Sequence, residues 1–274
     1  MGATAQTASA RTASAPAAPA KATAAPSSAL SSGGSVPLRI LKFFAALALI
    51  PLCVGLTLGT HEYFLSLSSR VSLAVFGAGS VMRWFVGGAG AFGLLAILLW
   101  RPIVVYVFAH ELVHALATWL CLGSVSNLKA SASGGQVTSS KTNTFIRLAP
   151  YCVPLYVLLA AIVYLALDRF WQPLSAYVNY LGCVMGFFYA FHLGFTLWSL
   201  RRDQPDLKPD GWLFSLVLIY MGNVLVFSAM LGFLTDPQPL GAWPALRESS
   251  ELGWRHARGI YVHLGHAAEQ FIPR

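Results

Sequence analysis

Charge is the scarcest property of this sequence. Asp, Glu, Lys and Arg make up 10% of 274 residues, against 56% apolar residues. That excludes an ordinary soluble domain, in which about a quarter of residues are charged. Paired cysteines are also missing: Cys53, Cys121, Cys152 and Cys183 stand in apolar runs without any CxxC spacing. They read as small buried hydrophobes, not as a disulfide frame or a thiolate metal site. No HxxHH box and no GxSG string occurs, against a di-iron lipid oxidase and a serine intramembrane protease. The absence of N-x-[ST] acceptors fits a bacterial inner membrane. The net charge of +8 is spread over loops and tails, so it points to cytoplasmic loops at an anionic leaflet and away from nucleic acid.

What is abundant is apolar sequence of spanning length. Ile40–Thr60, Trp84–Trp100, Pro102–Leu122, Leu148–Leu167, Leu174–Leu200 and Gly211–Leu234 are each near the ~20 residues that cross a bilayer. The fold class is therefore an all-α polytopic membrane protein with about six transmembrane helices. Phe64–Trp84, moderately apolar but carrying Arg70 and Arg83, makes a seventh if it spans. Lys129, Lys141 and Arg147 fall in one loop and Arg201, Arg202 and Lys208 in another. The positive-inside tendency puts both in the cytoplasm. With a cytoplasmic amino terminus, parity then requires Phe64–Trp84 to add a span.

Three regions follow. Residues 1–36, rich in Ala, Ser, Thr and Pro with no acidic residue, cannot bury a core and read as a disordered tail. Residues 37–235 form the transmembrane domain. Residues 236–274 form a tail in which Ala257, Ile260, Leu264, Ala268 and Phe271 recur at helical spacing, as in an amphipathic helix on the membrane surface. Within the fifth run, Gly182, Gly186, Ala190 and Gly194 form a ridge of small residues for close helix packing. Gly88-Ala89-Gly90-Ala91-Phe92-Gly93 matches GxGxxG, but it lies inside an apolar run with no strand before it. It too reads as helix packing and not as a dinucleotide site.

Chemistry concentrates at His110-Glu111-Leu112-Val113-His114. Residues four apart share a helix face, so His110 and His114 can aim two imidazoles at one point. Of the five glutamates only Glu111 lies deep in an apolar run. The plain alternative is a hydrogen-bonded polar cluster joining helices. Polar contacts in membranes average about 0.6 kcal/mol, too little to offset a buried carboxylate. Structural zinc in peptides binds with about 10–16 kcal/mol, so a metal accounts for the motif better. Catalytic zinc takes three protein ligands and leaves one position for water. Candidates for the third ligand are Asp206, Asp210 and His192, the last more suited to an outer shell. The polar loop Ser124–Thr144, with Gly134-Gly135 at its centre, reads as a short hairpin or as a flexible connector.

HELVHAL at 110–116, SGGQV at 133–137 and the downstream aspartates resemble the site-2 protease family of intramembrane zinc metalloproteases. The resemblance covers roughly residues 100–230, without a PDZ-like domain. In that family a glycine-containing hairpin after the HExxH helix pairs with unfolded substrate, and an aspartate from a later helix, usually within LDG, completes the zinc site. KPDG at 208–211 matches LDG in part. QPDLKPDGWLFS at 204–215, with APYCVPLY at 149–156, looks more like a divergent bacterial branch in which QPD carries the acid.

The resemblance therefore implies a Zn2+ site of His110, His114 and Asp206, with Asp210 as the alternative ligand. It implies Glu111 as general base, Gly134 and Gly135 as the substrate-strand site, and a transmembrane protein substrate within the lipid bilayer. Two rivals stand beside it. A protease completed by a distant glutamate fits poorly, because Glu248, Glu251 and Glu269 lie in the tail. A non-enzymatic homologue that binds partners or transports is separable by metal content.

Overall fold

The computed structural model of the chain describes residues 36–70, 80–98, 102–202 and 204–270. The expectation for residues 1–36 lies outside them, apart from Val36, where the first helix begins. The elements are α1 (Val36–Arg70), α2 (Val81–Leu98), α3 (Ile103–Leu120), β1 (Val125–Ser131), β2 (Gly134–Ser139), α4 (Thr144–Cys152), α5 (Leu155–Asp168), α6 (Val178–Leu200), α7 (Trp212–Thr235) and α8 (Ala242–Glu269). The architecture is helical, with β1 and β2 forming one antiparallel hairpin. Five helices (α1, α2, α3, α6 and α7) are long and apolar enough to cross a membrane, and α4 with α5 makes a sixth if the bent pair counts as one span. This fits a multi-pass membrane protein.

The run Leu148–Leu167 is a broken helix: α4 and α5 meet at a bend of 71°. The cause lies in Val153-Pro154. Proline has no amide hydrogen to continue the ladder, and it pushes the residue before it to extended backbone. Val153 accordingly sits at φ −97°, ψ 106°. Phe64–Trp84 forms no separate span among the described residues. Phe64–Arg70 completes α1 and Val81–Trp84 opens α2. No glycine or proline interrupts residues 61–70, so the first helix simply runs on, to 35 residues. At ~1.5 Å per residue, such a helix outreaches the ~30 Å hydrocarbon core.

Small residues set the helix pairs. α2 runs parallel to α6: Gly182, Gly186 and Gly194 face Val81, Phe85 and Phe92, and Gly88 faces the Cys183 carbonyl. Of the GxGxxG string, Gly88 and Phe92 enter this contact, while Gly90 and Gly93 have open space around them. α7 runs parallel to α1, with Tyr220 bonded to Thr57 and Ser228 to Thr60. The tail helix α8 returns antiparallel along α1. Its buried stripe of Ser249, Gly253 and Ala257 lies against Gly55 and Gly59, and Tyr261 donates to the Ala48 carbonyl. Between α1, α2, α6 and α7 lies a mainly apolar cavity of ≈ 980 Å³ that includes Cys53, Phe85, Thr196, Val217 and Asn223 in its wall.

Two details position the site. The hairpin and α4 follow α3 directly, so the chain doubles back over the HExxH helix. The starts of α1, α4 and α7 meet at one end, where Lys42 and Arg147 both pair with Asp210. The two basic loops expected on one side of the membrane therefore share one end of the bundle.

Candidate metal centre

α3 presents His110 and His114 on one face, their rings 4.9 Å apart. The connection between α6 and α7 delivers Asp206 to the same point. Its Oδ2 stands 3.7 Å from His110 Nε2 and 3.6 Å from His114 Nε2. One ligand atom from each residue falls within 4.8 Å of the others, the one such group among the described residues. These gaps exceed hydrogen-bond length and leave room for a cation between the three atoms. Two imidazoles and one carboxylate form the donor set of a catalytic zinc site, so the residues present fit that ion.

The partners around these three side chains fix their orientation. His114 Nδ1 lies 2.8 Å from the Ile146 carbonyl. A carbonyl can only accept, so Nδ1 carries the hydrogen, and in the neutral ring Nε2 keeps its lone pair toward Asp206. Ile146 is itself held by local chemistry: Asn143 caps α4, its side-chain oxygen accepting the Ile146 amide at 2.8 Å. Tyr106, one turn before His110, brings its hydroxyl to 3.4 Å from His110 Nδ1. Tyr151 is fully buried, stands edge-on to the His110 ring at 5.0 Å, and donates to Asp206 Oδ2 at 3.0 Å. Gln204, tied by its amide to Ser199, stands two residues before Asp206 in the same connection. Burial pushes the Asp206 carboxyl up, but the His110 and His114 imidazoles beside it outweigh burial and hold it well below the usual carboxylate range.

Glu111 is nearly buried and lies under the hairpin. A Cβ built on Gly135 would stand 2.5 Å from Glu111 Oε1, so only glycine lets β2 approach the carboxylate this closely. No hydrogen-bond donor among the described residues reaches that carboxylate. Gly134, by contrast, has open space around it and a φ of +141°, where a side chain would strain the backbone. The two glycines therefore serve different ends: one shapes the turn, the other makes room for an acid.

Asp210 does not join the cluster. Its side chain is fully buried among Lys42, Arg147 and Thr144. Burial pushes its carboxyl up, while the hydrogen bonds from those three groups hold it below its ordinary value. His192 lies buried on α6, also outside the three-residue group, and its Nε2 has no hydrogen-bond partner among the described residues. Tyr106 could have been found from sequence as the residue one turn before His110. Tyr151 and Gln204 stand within the APYCVPLY and QPD strings, which gave them no individual role, and Lys42 and Arg147 carry no such signal, because only the fold brings them to Asp210.

Set against protein-family models, curated proteins and solved structures, the chain finds no match.

Proposed function

We propose that the chain is an intramembrane zinc metalloprotease that hydrolyses peptide bonds in or near transmembrane segments of other membrane proteins, in a bacterial cytoplasmic membrane. One observation carries the reading: His110 and His114 of α3 converge with Asp206 from a distant connection, with an acid, Glu111, next to His110 in sequence and without a hydrogen-bond donor among the described residues. A polar cluster serving only to join helices would pair its carboxylates, as Asp210 is paired.

His110, His114 and Asp206 would hold zinc, which when bound supplies Lewis acidity, acidifying water and polarising a carbonyl. The rest is the work of the chain. The Ile146 carbonyl keeps His114 in one tautomer, and Tyr151 keeps the Asp206 carboxylate turned toward the imidazoles. Glu111 takes a proton from the attacking water at a carboxylate oxygen and returns it to the leaving amine, the general base then acting as general acid. β2 crosses directly over that carboxylate, so a substrate strand added to the hairpin would bring its backbone to the acid. Strand addition also satisfies the backbone groups that a spanning helix exposes when it unwinds.

The test uses purified protein with a labelled unstructured polypeptide in detergent. Glu111→Gln should retain metal and lose cleavage. Undiminished cleavage by that variant rejects the proton-transfer role, and a wild-type protein that binds no metal leaves the partner-binding or transport reading in its place.

A further inference from the structure

Asp206 and Asp210 are four residues apart in the same connection, yet their carboxylates serve opposite sides of it. Asp206 faces the two histidines. Asp210 Oδ2 takes the Arg147 guanidinium through both Nε, at 3.1 Å, and Nη2, while Oδ1 takes Lys42 Nζ and the Thr144 hydroxyl at 2.9 Å. Every direction from which that carboxylate could accept a bond is occupied, and its side chain is fully buried. It has nothing left to offer a metal.

We infer that Asp210 is a positioning residue for the metal ligand: its pairing with Lys42 and Arg147 locks the loop that holds Asp206 against His110 and His114. The inference rests on the metal-site reading given above. Three features carry it. First, the connection from 201 to 211 lies between helices, so no helical hydrogen-bond ladder fixes Asp206. It is held by Gln204 on Ser199, by Leu207 in a core with Leu148, Tyr151 and Ile219, and by Asp210.

Second, Arg147 follows Ile146, whose carbonyl holds His114. One turn of α4 thus fixes the ring of one ligand and, through Arg147 and Asp210, the loop of another. The distance between them is set by a short, capped piece of helix. Third, the lock adds Lys42 of α1, which otherwise stays clear of the centre. Immediately after Asp210, Gly211 at φ +85° turns the chain sharply into α7, so the lock also defines where that helix starts.

A buried ion pair is weak evidence for stability, since well-packed apolar residues often do as well. What it provides that apolar packing does not is direction. Two cations from two helices specify the position of one carboxylate, and hence of the loop four residues back.

The experiment measures affinity for Co2+ and Zn2+ by competition with a chromophoric chelator, on full-length protein in detergent. Melting of the metal-free protein is followed in parallel. Asp210→Asn and Lys42→Gln should bind metal about 10–100-fold more weakly, the range seen when groups supporting metal ligands are removed. Lys42→Arg, which keeps the cation, should restore most of the affinity. Bound Co2+ should also lose its tetrahedral absorption in Asp210→Asn. If the variants melt lower but keep wild-type affinity and spectrum, the pairing is only a tie between helices and the inference fails alone. If wild type itself binds neither metal, the metal-site reading fails and takes the inference with it. Should Asp210→Asn not fold, the comparison of Lys42→Gln with Lys42→Arg decides by the same readings.

Discussion

Replacing Gly135 with alanine sets one methyl group against one carboxylate. The added Cβ would lie 2.5 Å from Glu111 Oε1, about 1 Å inside ordinary contact between heavy atoms. Something must yield, and the Glu111 side chain is softer than the strand. Turning it off its rotamer costs about 0.5–1.5 kcal/mol, so the fold should survive with a small loss of stability. Catalysis should suffer far more, because a ~1 Å misplacement of a reacting group can cost about 10²-fold in rate. The three atoms nearest the new methyl all belong to Glu111, so metal content should stay at the wild-type level. The assay is cleavage of a labelled unstructured polypeptide in detergent, with metal and melting temperature measured on the same preparations. Gly134→Ala is the control: it meets no atom but must hold a φ of +141°, a strain of about 1–3 kcal/mol. It should lower stability more than Gly135→Ala and activity less. Wild-type cleavage by Gly135→Ala would refute the assignment of a working role to the Glu111 carboxylate under the hairpin.

Other outcomes follow from the same geometry. Tyr151→Phe removes the donor to Asp206 Oδ2 and should weaken metal binding about 10–100-fold, read by chelator competition; unchanged affinity would count against the role of that hydroxyl. Asn143→Ala removes the cap of α4 and should destabilise the protein by about 1 kcal/mol, measured by melting in detergent. Asp210 is held below its ordinary pKa by Lys42, Arg147 and Thr144, which outweigh its burial. Its stabilising contribution is therefore present above the unfolded-state value of ~3.9 and is lost as pH falls from there through the folded value. Melting temperature should drop over that acid range, and more gently in Asp210→Asn; identical slopes would contradict the pairing.

The site was legible in the sequence wherever it depends on helical periodicity. The spacing of His110 and His114 on an apolar helix was enough to place them on one face, whereas glycine at 134–135 left a hairpin and a flexible connector both open, and the structure has the hairpin. What stayed hidden depends on contacts between distant segments. Asp206 and Asp210 look alike as sequence, each an aspartate after a proline. They differ only because α1 and α4 bring Lys42 and Arg147 to one while α3 brings two imidazoles to the other. The bend between α4 and α5 was readable in Val153-Pro154, yet the apolar run around it looks like an unbroken span. Phe64–Trp84 has the composition of a weak span, and its described residues are the end of α1 and the start of α2. Of the stripe expected in the tail, Ala257 is buried while Leu264 and Ala268 are exposed; the buried residues of α8 lie earlier, where Ser249, Gly253 and Ala257 meet Gly55 and Gly59 of α1.

X-ray absorption at the zinc edge, on protein purified without added metal, tests the central claim most directly. The account predicts a bound zinc with imidazole nitrogen and carboxylate oxygen neighbours. Those neighbours should be disrupted by His114→Ala or Asp206→Ala and, at saturating metal, retained in Glu111→Gln. A protein that carries no metal, or whose zinc spectrum is indifferent to Asp206, would contradict it.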